Sequence, residues 1–284
     1  MSDDLTLADG GFDAAETTVG LSVEHLARLA LMLDLPPLGA GDPLPLLWHW
    51  CCFTPTAPTA ELGPDGHPRP SEALRAYPRR MWGAGKVEVV EPLVAGEPAT
   101  RRSAVAGVKR VDGQSGALLI ATVEHTYAQL DADRLREEQT IIYRSPGAPV
   151  PLPEGRTSPP PEAEGWRRVV EPDTRLMFRY SAVTFNTHRI HYDLPYARDV
   201  EGYPALVFQG PLSALLIAAG AAADAGRPLS SFAFRATAPL FAGLPFTITG
   251  RLDSTEGTAG AAGTAEITRN DGAVAMDATY TVST

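Results

Sequence analysis

The chain has 284 residues, of which 44% are hydrophobic, and its formal net charge is -10 at pH 7. This length suits two domains of ordinary size with a real core, and the hydrophobic fraction is that of a folded protein. The acidic balance argues against a nucleic-acid partner or an anionic membrane surface, because binding phosphates requires a basic face.

The cysteines, the N-terminus and the longest apolar run indicate the cellular compartment of the protein. Cys51 and Cys52 are adjacent, so they cannot join distant segments by a disulfide. The N-terminus lacks the basic and apolar regions of a signal peptide. The longest apolar run, residues 212–223, is shorter than the roughly 20 residues that span a bilayer. We therefore expect a cytoplasmic protein with no membrane partner.

The first predicted element is a helix that Ser22 caps. Glu24 lies in its favourable first turn, and apolar residues recur at helical spacing through Leu33. Two consecutive prolines, Pro36 and Pro37, end it. The acidic, small-residue-rich stretch before it, residues 1–20, is expected to be a loosely held arm.

A turn-rich loop at residues 59–80 precedes a series of strand-like segments. β-Branched and aromatic residues mark these segments, which predict a curled antiparallel sheet. Their ranges are 86–94, 99–111, 117–129 and 138–144. Seven prolines between 146 and 161 then predict a stiff, extended connector. We place the domain boundary there, with units at 1–145 and 166–284 and a linker at 146–165.

The second half repeats the plan of the first. A strand is predicted at 175–183, and four more close the chain at 230–238, 246–252, 261–269 and 273–282. The heptapeptide P-L-V-A-G-E-P at 92–98 recurs as P-L-F-A-G-L-P at 239–245, and both copies follow a strand segment. A duplication is therefore predicted, giving two α+β units, each with a sheet around a central helix.

A histidine-containing loop lies between the strand at 175–183 and the apolar run. The stretch from Tyr180 to Asp193 is Y-S-A-V-T-F-N-T-H-R-I-H-Y-D. Further on, Gly210 and Pro211 predict a helix start, with Pro211 at the first helical position and the Gly210 N–H open to an anion. Such an N–H can hold an oxyanion developing on a thioester carbonyl, with His191 as the proton-transfer group. Gly-Pro caps and solvated loop histidines are also common, so these residues alone leave both interpretations open.

The loop resembles the signature of the MaoC-like, (R)-specific enoyl-CoA hydratases. Its T-F-N-x-H-x-I-H-Y-D form is similar to a double-hotdog group of 3-hydroxyacyl-thioester dehydratases and mesaconyl- and itaconyl-CoA hydratases, as are L-G-P-D-G at 62–66 and R-M-W at 80–82. On this alignment Tyr180 takes the aromatic position, Asn186 that of the catalytic Asp, His188 that of an Asn, Arg189 that of a Pro, and His191 and Asp193 those of His-x-Asp. The resemblance implies an α+β double-hotdog fold with one active site per chain, to which the first unit supplies a wall.

No spacing of His, Cys, Asp and Glu resembles a metal site, and no glycine pattern resembles a phosphate-binding loop, so neither a metal nor a cofactor is expected. The resemblance implies the following chemistry. Water would add to, or leave from, the β-carbon of an enoyl thioester while the Gly210 N–H polarises the carbonyl. Asn186 cannot be a general base, because an amide has no usable proton affinity at neutral pH. We therefore expect His191 to be the base, Asn186 to orient the water or the imidazole, and His188 to be a second polar contact.

Four residues are expected to contact the substrate: Tyr180, Gln209, Trp82 and Arg189. Arg189 could pair with a second carboxylate on the acyl group, with a CoA phosphate, or with solvent only. Asp193 precedes Leu194 and Pro195 and is expected to cap a short helix.

The predicted function is a hydro-lyase acting on an acyl-CoA or acyl-ACP substrate, and we expect a homodimer. A thioesterase is one alternative, although it would need a carboxylate in the position that Asn186 occupies. A non-catalytic acyl-thioester binding subunit is another, with Asn186 as the mark of lost activity.

Overall fold

The computed structural model describes residues 14–113, 116–145, 147–155, 165–253 and 260–283. The strands in these ranges are β1 (Ala15–Gly20), β2 (Arg79–Val89), β3 (Pro98–Gly113), β4 (Gly116–Gln129), β5 (Ala132–Arg144), β6 (Trp166–Val170), β7 (Leu229–Ala236), β8 (Phe246–Leu252), β9 (Ala262–Arg269) and β10 (Val274–Val282). The α-helices are α1 (Val23–Met32), α2 (Thr174–Val183), α3 (Leu194–Asp199) and α4 (Gly210–Ala225).

The ten strands form one antiparallel sheet in the order β1-β3-β4-β5-β2-β7-β10-β9-β8-β6. The order is symmetric about the central β2–β7 pair. Each strand of the first half, β1 to β5, is mirrored in the second half by the strand numbered five higher. That central pair aligns residues 84–88 with 231–235. The two copies of the repeated heptapeptide lie in the equivalent connections, β2 to β3 and β7 to β8. The topology therefore agrees with the predicted duplication.

Helix α4 is the centre of the second unit. It contacts all five strands of that unit, β6 to β10. Most of its side chains from Leu212 to Ala221 are buried, as the all-apolar run predicted. These buried side chains belong to the main hydrophobic core.

The first unit departs from the expected plan at the corresponding place. Between α1 and β2 the described chain has only short 3₁₀ turns, of which Trp48–Cys51 is buried. Pro43 and Pro45 precede this turn and cannot supply the N–H groups of a longer helix. Leu47, with a left-handed φ of 71°, separates them from the turn. The second unit therefore has the predicted central helix, α4, whereas the described residues of the first unit have the buried turn Trp48–Cys51 at the corresponding place.

Helix α1 confirms its predicted start. The Ser22 side chain accepts a hydrogen bond from the His25 N–H at 3.2 Å. The residues before it were predicted to be an arm, but Ala15–Gly20 forms the edge strand β1, paired with β3. Residues 1–13 lie outside the described residues.

The predicted strand at 175–183 is wrong, because these residues form helix α2. Asp173 caps it by accepting from the Arg175 N–H at 2.7 Å. Met177, Tyr180 and Val183 are buried and recur every third residue, which is one face of a helix. The aromatic and branched residues in the segment favoured a strand only by type, and their spacing was the better signal.

The proline-rich connector is described at residues 147–155, where it has neither helix nor strand. Residues 146 and 156–164 lie outside the described residues, so the domain boundary stays a prediction. In the part of the chain that the structure describes, no helix is both long and apolar enough to cross a membrane.

Candidate active site

The histidine-containing loop connects α2 to α3 and begins with a tight turn. Phe185 has a positive φ of 51°, and the Asn186 N–H donates to the Ser181 carbonyl at 2.8 Å. The Asn186 side-chain oxygen accepts from the His188 N–H at 3.0 Å. Its oxygen is therefore used to shape the loop, and its NH₂ is the group left to orient a water or a substrate.

His191 has a defined tautomer. Its Nδ1 lies 2.7 Å from the Val207 carbonyl oxygen. A carbonyl can only accept, so Nδ1 carries the hydrogen and Nε2 presents a lone pair. Burial lowers the pKa of His191 to about 4, although the bond to Val207 opposes this shift. The ring is therefore neutral at pH 7 and able to accept a proton through Nε2.

Two more imidazoles adjoin His191. The His188 ring centroid lies 5.3 Å from that of His191 and 4.4 Å from that of His67. Burial lowers the pKa of His67 to about 3, and the positive charge of Arg80 adds to the effect. Burial also lowers the pKa of His188 far below its usual range, with further contributions from His67, His191 and Arg80. All three rings are neutral at pH 7.

His67 reaches this site because a loop of the first unit docks on the histidine-containing loop. The Thr187 hydroxyl donates to the Gly66 carbonyl, and the Arg189 N–H donates to the Asp65 carbonyl at 2.8 Å. The Gly66 φ is +91°, and a Cβ there would lie 1.9 Å from the Thr187 oxygen. Only glycine permits this approach.

Asp65 and His67 are functional candidates that sequence reasoning missed. One Asp65 carboxylate oxygen accepts from the His67 N–H at 3.1 Å. Burial raises the pKa of Asp65, although hydrogen bonds and the charge of Arg80 oppose the shift. The L-G-P-D-G segment contributed only to the family resemblance. The available signal was a carboxylate and an imidazole on either side of Gly66.

Asp65, His67 and His188 each offer one ligand atom, and these atoms lie within 4.8 Å of one another. A divalent cation could use such a set, which no local ligand spacing in the sequence reveals because it combines both halves of the chain. The field of Arg80 that lowers the pKa of both histidines also disfavours a cation there. The expected absence of a metal stays a prediction.

Helix α4 begins one residue earlier than predicted, with Gln209 as its cap, Gly210 first and Pro211 second. No acceptor for the Gly210 N–H is found among the described residues, as expected for a first-turn N–H. Such a donor at the positive end of a 16-residue helix is suited to hold an oxyanion.

Gln209 and Trp82 have mainly structural contacts. Gln209 is fully buried, and its NH₂ donates to the Met177 carbonyl at 2.8 Å and to the Ser181 hydroxyl at 3.0 Å. The Trp82 indole donates to its own strand and packs on Trp50, with ring centroids 4.6 Å apart. The backbone carbonyl oxygen of Trp82, in contrast, lies close to the start of α4, since it would be 4.0 Å from a Cβ placed on Gly210.

Tyr180 and Arg189 also have mainly structural contacts. Tyr180 is on α2 rather than on a strand, and only 3% of it is exposed. The Arg189 guanidinium bonds to one Asp193 oxygen through Nε at 3.0 Å and Nη2 at 2.7 Å, and to the Pro64 carbonyl through Nη1. It also stacks on the Tyr196 ring. Its charge is already neutralised by Asp193.

Asp193 has the structural role predicted for it. Besides pairing with Arg189, it accepts from the Tyr196 N–H at 3.1 Å and so caps α3. Its carboxylate is therefore fully engaged in holding the end of the histidine-containing loop.

A small cavity of about 50 Å³ lies where the two loops meet. Its lining includes Leu62, Gly66, His67, Phe185, Asn186 and Thr187. Both halves of the chain therefore contribute walls to the space beside the histidines.

Comparison with known proteins agrees with this arrangement. The family model for hydroxyacyl-thioester dehydratase type 2 matches residues 47–242, which include both loops. Mesaconyl-C(4)-CoA hydratase of Chloroflexus aurantiacus is 45% identical over 221 residues, covering 76% of this chain and 79% of that protein.

Solved structures show the fold. A MaoC-like dehydratase has a TM-score of 0.71 at 16% identity, covering 97% of this chain and 98% of its own. A conserved Mycobacterium tuberculosis protein, described as having a double hotdog fold, has a TM-score of 0.57 at 13% identity, with 95% of each chain covered. The predicted α+β double-hotdog fold is confirmed, and this chain belongs to the hydroxyacyl-thioester dehydratase type 2 family.

Proposed function

We propose that this chain is a reversible hydro-lyase of enoyl- and 3-hydroxyacyl-CoA thioesters, working without a cofactor, and that its substrate is a short dicarboxylic acyl-CoA. The observation that carries the proposal is the bond from His191 Nδ1 to the Val207 carbonyl. It fixes a neutral imidazole with a free Nε2 lone pair. It also ties this ring to the segment that enters α4 at Gly210 three residues later.

His191 Nε2 and the Gly210 N–H suit the two ends of a conjugated thioester. In hydration, a water that donates a hydrogen bond to His191 Nε2 attacks the β-carbon, and negative charge develops on the thioester oxygen. The Gly210 N–H and the dipole of α4 stabilise that oxygen. In dehydration the same groups act in reverse, with the hydroxyl leaving as water.

The choice of a dicarboxylic substrate rests on the 45% identical mesaconyl-C(4)-CoA hydratase and on Arg80. In a mesaconyl-C(4) thioester the free carboxylate is on the β-carbon, so its counter-charge has to lie at the reacting centre. Arg189 is already neutralised by Asp193. Arg80 is exposed, and its charge acts on Asp65, His67 and His188. We assign the carboxylate contact to Arg80.

A panel of four thioesters tests the proposal with purified protein: crotonyl-CoA, a longer enoyl-CoA, mesaconyl-C(4)-CoA and itaconyl-CoA. We expect loss of the enoyl absorbance and a product heavier by one water, with the thioester intact and the mesaconyl compound preferred. Release of free CoA would identify a thioesterase instead. Binding without turnover of any member would identify a non-catalytic acyl-thioester subunit.

The same proposal includes a homodimer in a reducing cytoplasm. The support is that homodimers are the commonest assemblies of soluble proteins, and that Cys51 and Cys52 are free thiols with sulfurs 3.8 Å apart. Light scattering after size-exclusion chromatography measures the assembly, and a monomeric mass would contradict it.

A further inference from the structure

Hydration of an enoyl thioester needs a group that carries a proton as well as one that binds the water. The Asn186 amide cannot do this, and its oxygen is occupied by the His188 N–H. Asp193, the nearest carboxylate in the same loop, is held by Arg189 and by the cap of α3. The catalytic loop by itself therefore lacks a carboxylate free to exchange a proton.

Asp65 places a carboxylate beside the histidines from the other half of the chain. It lies within 4.8 Å of the ring nitrogens that His67 and His188 offer. One of its oxygens accepts from the His67 backbone N–H at 3.1 Å. The backbone of the loop is fixed by the bond from the Arg189 N–H to the Asp65 carbonyl.

We propose that Asp65, rather than His191, is the catalytic acid–base residue of this site and takes the place of the aspartate that Asn186 replaces, while His191 accepts a hydrogen bond from the water. The inference rests on the proposed hydro-lyase function. It means that the active site is shared between the two units, with the water-binding imidazole from the second and the proton-carrying carboxylate from the first.

The step balances without a co-reactant. The water oxygen forms a bond to the β-carbon while one O–H bond of the water breaks and its proton passes to the Asp65 carboxylate. The C=C electron pair moves towards the thioester carbonyl, giving an enolate that Gly210 stabilises. The Asp65 carboxyl then donates its proton to the α-carbon, which restores the carboxylate and the thioester carbonyl. Burial favours the protonated intermediate, because it raises the pKa of Asp65.

The substitution Asp65→Asn separates proton transfer from loop structure. The asparagine oxygen can still accept from the His67 N–H, so the turn is preserved while the acid–base group is lost. Glu61→Gln is the matched control, since it removes an exposed carboxylate four residues earlier in the same loop. Rates are measured with mesaconyl-C(4)-CoA and crotonyl-CoA, alongside KM and thermal midpoint.

We expect Asp65→Asn to lower kcat by about 10²–10⁴, with KM and the thermal midpoint near those of the wild type and Glu61→Gln unchanged. A kcat within about threefold of the wild type would overturn the inference, as would a loss of activity that parallels a loss of folding. Stoichiometric zinc in the purified enzyme, with activity removed by a chelator and restored by zinc, would also overturn it by making Asp65 a ligand. If the wild type itself hydrates no thioester, the proposed function fails instead.

Discussion

Gly66 of the first unit and Thr187 of the second approach so closely that a Cβ on Gly66 would lie 1.9 Å from the Thr187 carbonyl oxygen. The Thr187 hydroxyl donates to the Gly66 carbonyl at the same place. Because Asp65 and His67 flank Gly66, this contact positions both side chains over the catalytic loop. The two units are therefore joined at the site as well as through the sheet.

Gly66→Ala should lower the activity about a hundredfold or more. The added Cβ would displace the loop that carries Asp65 and His67, and a 1 Å displacement near a reacting centre can cost that much. Gly41→Ala is the control: its φ is +83°, close to the +91° of Gly66, but a Cβ there meets nothing within 4 Å. Both variants share the backbone strain of a positive φ. Equal kcat values for the two, measured on mesaconyl-C(4)-CoA, would show that the contact does not position the site.

Gly210→Pro should lower kcat by about 10²–10³, because it removes the N–H that holds the oxyanion. Proline is compatible with the first turn of a helix, and the preceding Gln209 has an extended ψ of 128° that allows it. Gly210→Ala keeps the N–H and should stay within a few-fold of the wild type. Indistinguishable rates for the alanine and proline variants, with both folded by circular dichroism, would argue for a different oxyanion donor.

The pH profile should show activity lost only in acid. His191 acts in its neutral form, and its pKa is lowered to about 4, so the competent form is present above that pH and is lost as the pH falls through it. His188, His67 and the Val207 carbonyl are the polar groups facing it. Asp65 acts ionised and titrates in the same direction. We expect kcat/KM to be flat from pH 6 to 8 and to fall below about pH 5; an acid limb centred near 6.5 would contradict this assignment.

Arg80→Gln should discriminate between substrates. Losing a charge-assisted contact of about 1.5–3 kcal/mol should raise KM for mesaconyl-C(4)-CoA by roughly 10- to 100-fold. Crotonyl-CoA lacks the carboxylate and serves as the control with the same variant, so its KM should change little. An equal increase for both compounds would place Arg80 on the CoA moiety.

Glu137 should be important for stability rather than for turnover. Its fully buried carboxylate accepts from His49 at 3.1 Å, Trp50 at 2.8 Å, Tyr127 at 2.6 Å and Gln139 at 2.8 Å. Burial alone would raise its pKa, but hydrogen bonding and the charge of His49 prevail and lower it to about 2.

Glu137→Gln puts an NH₂ group among these donors and should cost about 2–4 kcal/mol of unfolding free energy, measured by urea denaturation at pH 7. Because the folded pKa is depressed, the contribution of Glu137 is present above pH 4.5 and lost as the pH falls towards 2. Glu138→Gln, exposed on the opposite face of β5, should change stability by less than about 0.5 kcal/mol. Similar midpoints for the two variants would contradict the proposed role of the buried cluster.

Local patterns in the sequence determined much of this protein. The repeated heptapeptide revealed the duplication, the all-apolar run predicted α4, and Asp193 before Leu194-Pro195 predicted the cap of α3. The spacing of Asn186, His188 and His191 identified the loop that we propose to be catalytic. Each of these signals is contained in a few neighbouring residues, and their conformation is governed by short-range sterics and backbone hydrogen bonds.

Only the tertiary structure determined which distant groups meet. Asp65 and His67 join His188 because a glycine at 66 lets two backbones touch, and no local pattern encodes that contact. The same is true of Arg189, whose charge is neutralised by Asp193 and which also donates to the Pro64 carbonyl, so it is not a free cation. Burial then decides protonation, since neither the pKa of His191 nor that of Asp65 can be read from residue type without the surrounding protein.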